Sequence, residues 1–459
     1  MYSLPITTLG STIALSVLAW ATTKFYAYNR LPLRPGPPKK SWLTGNAKDM
    51  PQGYPWFKFT EWAKQYGEIV HLRVHTNSII TMSSYEGILE LFEKRGALYS
   101  QRPRRMMIII PGDFAKELNM LVGMIIMKIA YGYQVREPDD PFVTVSDEAI
   151  ASMSTTGVAG RYLVDSYPFL RFLPDWLPGM GFKRKAQEWS RLPYRMIEEP
   201  YQWARKQIDS GRAIPSFLSE LLESNEVGEE GEDIIKWTVG SMYNAGSHTT
   251  ASTLSNFILA MLQYPNILRK AQEEMDRVVG TDRLPTMSDR PQLPYLERIL
   301  LETMRWYPVT PLTVPHRIEQ EDTYRGYRIP ANSTVFANIY AITRDERIFP
   351  DPEKFIPERF EDTQTDIKPL DPREFIFGIG RRICPGNNVA DGTIFLVMAN
   401  LIATMDITKA LDENGREIEP EVVRTGGLVS QTLPFKCSIT PRSEQAKNLI
   451  NSAALVDLE

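Results

Sequence analysis

A chain of 459 residues, 43% hydrophobic and 24% charged, has the make-up of a folded globular protein and excludes a disordered one. A formal net charge of −4 excludes a polyanion-binding surface as its main business, so no nucleic-acid partner is expected. Two cysteines, Cys384 and Cys437, are too few for a disulfide framework and fit a reducing compartment.

The first predicted element departs from the rest. Residues 4–28 read LPITTLGSTIALSVLAWATTKFYAY, with Lys24 the only charge. About 20 apolar residues span a bilayer core, and this stretch suffices if a few Thr and Ser are tolerated. Trp20, Phe25, Tyr26 and Tyr28 gather at one end as interfacial anchors do, and Arg30, Arg34, Lys39 and Lys40 follow. That order favours a single transmembrane anchor with the following domain on the cytosolic side. The alternative is a cleaved signal peptide, but the basic residues follow the apolar run and no small-residue cleavage site stands out.

Residues 29–40 form a proline-rich linker, stiff because proline fixes φ and removes a donor. Beyond it there is no internal repeat and no low-complexity tract. The acidic stretch 226–233 (EVGEEGED) reads as a solvated loop, with Asp233 as N-cap of a long helix over 234–263. That helix is apolar on nearly all sides and must run through a core. Further helices are predicted over 267–279, 295–306 and 388–405. Strand-like alternation appears at 323–329, 334–338 and 435–440. Residues 443–459 read as a polar tail. These elements predict one large, mainly α domain over 41–442 with a small β-sheet.

The residues that carry chemistry centre on FIFGIGRRICPG, residues 375–386. Gly378 and Gly380 allow a tight turn and close approach of the backbone to a flat ligand. Pro385 and Gly386 end the loop, so the Cys384 sulfur sits near the N-terminus of the next helix. There the partial positive charge and free amides favour a thiolate, the form that binds metal. Arg382 can pair with an anionic group of the same ligand. The competing reading is a buried structural cysteine in a turn.

This loop resembles the cysteine signature of the cytochromes P-450, Phe-x-x-Gly-x-Arg-x-Cys-x-Gly, with Phe377, Gly380, Arg382, Cys384 and Gly386 filling every fixed position. The resemblance runs over most of the chain and is nearest in wording to fungal membrane-bound members. It implies a cytochrome P-450-type fold, with Cys384 as axial ligand to the iron of haem b, Phe377 packed beside it, and a thiolate that favours O–O cleavage. It also implies a structural cluster of Glu302, Arg305 and Arg359, the last in FIPERF, and a haem propionate met by Arg317 or His316 together with Arg382. On the long helix, Ala245-Gly246-Ser247-His248-Thr249-Thr250 is similar to the family's Ala/Gly-Gly-x-acid-Thr-Thr. Thr249 then matches the residue that helps deliver protons to bound oxygen. His248 replaces the acid, and a histidine can also relay protons near neutral pH; packing alone is the other reading of His248. Residues 428–433 correspond to a substrate-contacting loop, and Cys437 in its return strand is inert.

The implied reaction is insertion of one oxygen atom of O2 into a small apolar substrate at the endoplasmic reticulum membrane. Fungal secondary metabolism (terpenoids, for example) and xenobiotic oxidation are the settings the resemblance suggests. With no Rossmann or flavin motif in the chain, NADPH must act through a separate flavin reductase. The resemblance breaks between Pro103 and Met127. Ser100-Gln101-Arg102-Pro103 matches an early family segment and MKIAYGY (127–133) a much later one, and no Trp lies between residues 63 and 175. An internal deletion near 104–126 is therefore expected, removing a substrate lid and a propionate-binding helix. Two rival readings follow: a haem-poor, inactive relative acting as a binding or regulatory protein, and a haem isomerase or dehydratase that needs no reductase.

Overall fold

The computed structural model describes residues 35–41, 44–51, 53–74, 77–99, 114–135, 140–154, 164, 167–224, 228–361 and 370–456. The expected anchor and half of the linker lie outside them, as do residues 104–113 of the 104–126 region. Among the described residues, no helix is long and apolar enough to cross a membrane.

Helix α1 (Pro55–Tyr66) carries proline at its first position, where the missing N–H costs nothing, and leads into the hairpin β1 (Ile69–Val74) and β2 (Asn77–Met82). The helical part of the chain follows: α2 (Phe114–Tyr131), α3 (Pro141–Ser154), α4 (Gly181–Asp209), α5 (Phe217–Ser224), α6 (Glu229–Gln263), α7 (Pro265–Val278) and α8 (Pro294–Trp306). Four short strands come next, β3 (His316–Arg317), β4 (Asp322–Tyr324), β5 (Tyr327–Ile329) and β6 (Thr334–Ala337). The chain closes with α9 (Asn387–Thr404), β7 (Met405–Lys409), β8 (Cys437–Pro441) and α10 (Glu444–Val456). The main sheet has the order β1-β2-β6-β3, with β6 parallel to β2 and β3 antiparallel at its edge; β4–β5 and β7–β8 are separate hairpins.

The long helix starts earlier than its apolar pattern suggests. It begins at Glu229 after Gly228, and Asp233 is not its cap but lies within the helix, 3.0 Å from Lys236. Acidic residues in a first turn are favoured by the exposed N–H groups there, so the charged stretch extends the helix. From Thr250 to Leu262 every residue is buried. This half of α6 packs on α8 and α9, with Leu254, Phe257 and Ile258 joining Leu296, Ile299, Phe395 and Met398 in one core. Residues 444–456, read as tail, form a helix that buries Ala446.

A second constraint fixes the approach to the cysteine loop. Glu302 and Arg305 are fully buried on α8, and Arg305 donates to both carboxylate oxygens at 2.7 and 2.8 Å. The same guanidinium donates to the carbonyls of Thr343, Pro352 and Lys354. Arg359 Nε and the Ile356 N–H both donate to Glu302 Oε1, at 3.1 and 2.8 Å. One carboxylate thus ties α8 to the irregular segment 350–359, whose backbone has no ladder of its own. Removing one member of such a network leaves its partners charged and unpaired, at a cost of about 3–5 kcal/mol. Glu302→Ala should yield aggregate or apoprotein, seen by size-exclusion chromatography and haem absorbance. A folded, loaded but slow variant would refute a structural role.

Candidate active site

The cysteine loop is built on backbone contacts that only glycine permits. A short helix, Arg373–Ile376, ends at Phe377, whose carbonyl accepts a 2.8 Å hydrogen bond from the Cys384 N–H and closes the loop. Gly378 and Gly380 take φ of +83° and +71°, and a Cβ at Gly380 would stand 2.0 Å from the Phe92 carbonyl oxygen. The loop is therefore seated against the turn at Leu89–Lys94 by direct backbone contact. Cys384 is half-buried, just ahead of α9, and Phe377 packs at the margin of the main core. Cys437 is also half-buried, but on β8, where burial pushes its thiol away from the thiolate form. A charged network braces the loop from below. Arg290 bonds Glu297 and Asp391 of α9, while Arg373 bonds Glu297 and Asp371.

The residues present suit a haem at this site. Among the described residues no group of three or more His, Cys, Asp or Glu could hold a metal ion. Arg317, on the edge strand β3, has its Nε buried without a hydrogen-bond partner, a donor suited to an acid group the protein does not supply. Arg382 is exposed at the end of the Gly380–Arg382 turn. His316 is placed differently from its neighbour. It is buried, stacks on Phe92 at 4.2 Å, and has Nδ1 at the Tyr99 carbonyl, so that nitrogen is already engaged.

Helix α6 carries the second half of the site. The Thr249 hydroxyl donates to the Ala245 carbonyl at 2.8 Å, competing with the helical hydrogen bond one turn away. Ala245 is exposed, while a Cβ at Gly246 would stand 2.7 Å from the end of the Ile126 side chain of α2, so at Gly246 smallness also serves packing. His248 bridges two other elements. Its Nε2 lies 3.2 Å from Asp147 Oδ1 on α3, and its Nδ1 lies 2.8 Å from Gln431 Nε2 on the C-terminal loop. That loop is fastened to α6 through Asn256, whose Oδ1 accepts from Thr432 and Arg424 while its Nδ2 donates to the Tyr307 carbonyl. Burial lowers the Arg424 pKa to about 10, which leaves it charged at neutral pH. Sequence reasoning missed Asp147, which carries no local signal. Gln431 fell inside the segment 428–433, read as substrate-contacting and not as a partner of His248.

The family model described as Cytochrome P450 matches residues 110–438. Among curated proteins, Cytochrome P450 monooxygenase 208 of Postia placenta is 36% identical over 499 aligned positions, covering 96% of this chain and 97% of that protein. A cytochrome P450 monooxygenase of Armillaria gallica is 35% identical over 497 positions, with 95% and 97% covered. Cytochrome P450 monooxygenase claR of Ampulloclitocybe clavipes is 33% identical over 494, with 95% and 92% covered. Each alignment exceeds the 459 residues of this chain, so parts of these relatives have no counterpart in it. Matched over most of its length by the family model and by relatives more than 30% identical, this chain belongs to the cytochrome P450 family of haem-dependent monooxygenases.

Proposed function

We propose that the chain is a membrane-anchored monooxygenase that inserts one oxygen atom of O2 into a small apolar organic molecule. The observation that carries this reading is the Cys384 loop, a half-buried thiol held by glycine-only contacts at the start of a core helix. Bound at this thiolate, the haem supplies the oxygen-activating chemistry. The protein's own residues do the rest. Cys384 holds the iron, while Arg317 and Arg382 neutralise acid groups of the cofactor. Thr249 presents a hydroxyl on α6, and His248 holds a proton next to it. Electrons come from a separate NADPH-dependent flavin reductase on the cytosolic face of the endoplasmic reticulum, where residues 4–28 anchor the chain. Fungal secondary metabolites, terpenoids for example, and xenobiotics are the substrate classes this reading takes in.

One observation favours a second reading, a haem-poor relative acting as a binding or regulatory protein. The alignments to its relatives are longer than this chain, and we place a segment lacking relative to other family members between Pro103 and Met127.

Three measurements test the proposal. Cys384→Ser should abolish the red-shifted Soret band of the reduced carbon-monoxide complex while Cys437→Ser keeps it; an unchanged band in the first variant refutes the ligand assignment. Thr249→Ala should lower product formed per electron consumed and raise peroxide release by about tenfold or more, since acid–base groups contribute about 10²–10⁴-fold. Equal coupling in variant and parent would remove Thr249 from proton delivery. Protease added to intact microsomes should digest the domain, and deletion of residues 4–28 should release it; full protection contradicts the cytosolic orientation.

A further inference from the structure

His248 has both ring nitrogens engaged, each by a different element. Nε2 is 3.2 Å from Asp147 Oδ1 on α3, and Nδ1 is 2.8 Å from the side-chain amide of Gln431 on the C-terminal loop. An ionised carboxylate only accepts, so the nitrogen facing Asp147 carries hydrogen. In the neutral ring Nδ1 is then an acceptor, and the Gln431 amide N–H fills it. Asp147 is about one-third exposed (36%) and stays hydrated, whereas His248 is mostly covered (15%).

We propose that Asp147 is the positioning residue for His248, pinning the imidazole proton on Nε2 and leaving Nδ1, under Gln431, as the atom that takes up and returns a proton beside Thr249. This rests on the proton-delivery role given above to α6. The two partners satisfy both states of the ring. Uptake of a proton from water at Nδ1 gives the imidazolium, and the Gln431 amide turns its oxygen to accept from Nδ1–H. Release of that proton to water restores the neutral ring, and the amide turns back. One proton enters and one leaves, with no electron transferred. Asp147 remains ionised and accepts from Nε2–H throughout. The contact also gives a physical reason for histidine at this position, because an acid there would face Asp147 across the α3–α6 contact.

The chain holds only four histidines, so selective ¹⁵N-histidine labelling of the full-length protein, in its diamagnetic reduced carbon-monoxide form, can read the tautomer independently of turnover. The parent should show His248 with its proton on Nε2. Asp147→Asn, whose amide donates as well as accepts, should release the ring to both tautomers, while Asp147→Glu should keep one. Asp147→Asn should lower product per electron by at least about tenfold, to the level of His248→Ala, and the double variant should lose no more. A parent ring with its proton on Nδ1 overturns the proposal, as does Asp147→Asn with full coupling. If Thr249→Ala is uncoupled but Asp147→Asn is not, this proposal alone falls. If both stay coupled, the proton-delivery reading falls with it.

Discussion

A carboxylate with no solvent contact must find every partner inside the protein, and Glu302 finds them in two arginines and a backbone amide from segments far apart in the chain. Arg305 spends its remaining N–H groups on the carbonyl of Thr343, at the end of a short helix, and on those of Pro352 and Lys354 in the irregular stretch that precedes the cysteine loop. That stretch has no strand or long helix to satisfy its backbone, so without the arginine those carbonyls would be buried unpaired. This charged cluster fixes the stretch around residues 352–359 on α8, and the Arg373–Glu297 pair adds a second tie nearer the cysteine loop. The contact of Gly380 with the Phe92 carbonyl then fixes the last few ångströms, because no side chain fits between them.

On the opposite side of the site, α6 combines a fully buried C-terminal half with a polar, locally loosened centre. The Thr249 hydroxyl takes up the Ala245 carbonyl, Asn256 fastens the C-terminal loop, and His248 reaches across to α3. These polar groups sit on a helix whose other faces pack in the core, so each is held by rigid surroundings rather than by a mobile loop. The same helix therefore sets the distance between the C-terminal loop and the residues that would handle protons.

Much of this was legible in the sequence, for reasons that differ by residue. The Cys384 motif could be read because Phe377, Gly380, Arg382 and Gly386 stand at fixed spacing around the cysteine, the glycines for backbone geometry and the arginine for charge. Glu302 and Arg305 are a common helical spacing, and only the later FIPERF segment gave them meaning. The early strands β1 and β2 were not legible, since IVHLRV and NSIITM bury residues on both faces and lose the alternation that marks a half-exposed strand. Asp147 and Gln431 lie 101 and 183 residues from the histidine they hold, a pairing that exists only once α3, α6 and the loop have packed. The start of α6 at Glu229 and the final helix α10 were hidden by charge and polarity, which argue for solvent contact but not against a helix.

The proposed chemistry requires that this chain, shorter than the alignments to its relatives, binds iron through Cys384. Iron K-edge X-ray absorption on the purified protein measures this directly. One iron per chain, with a single sulfur neighbour that is lost in Cys384→Ser, is the predicted result. Protein without iron, or iron with only nitrogen and oxygen neighbours, would contradict it.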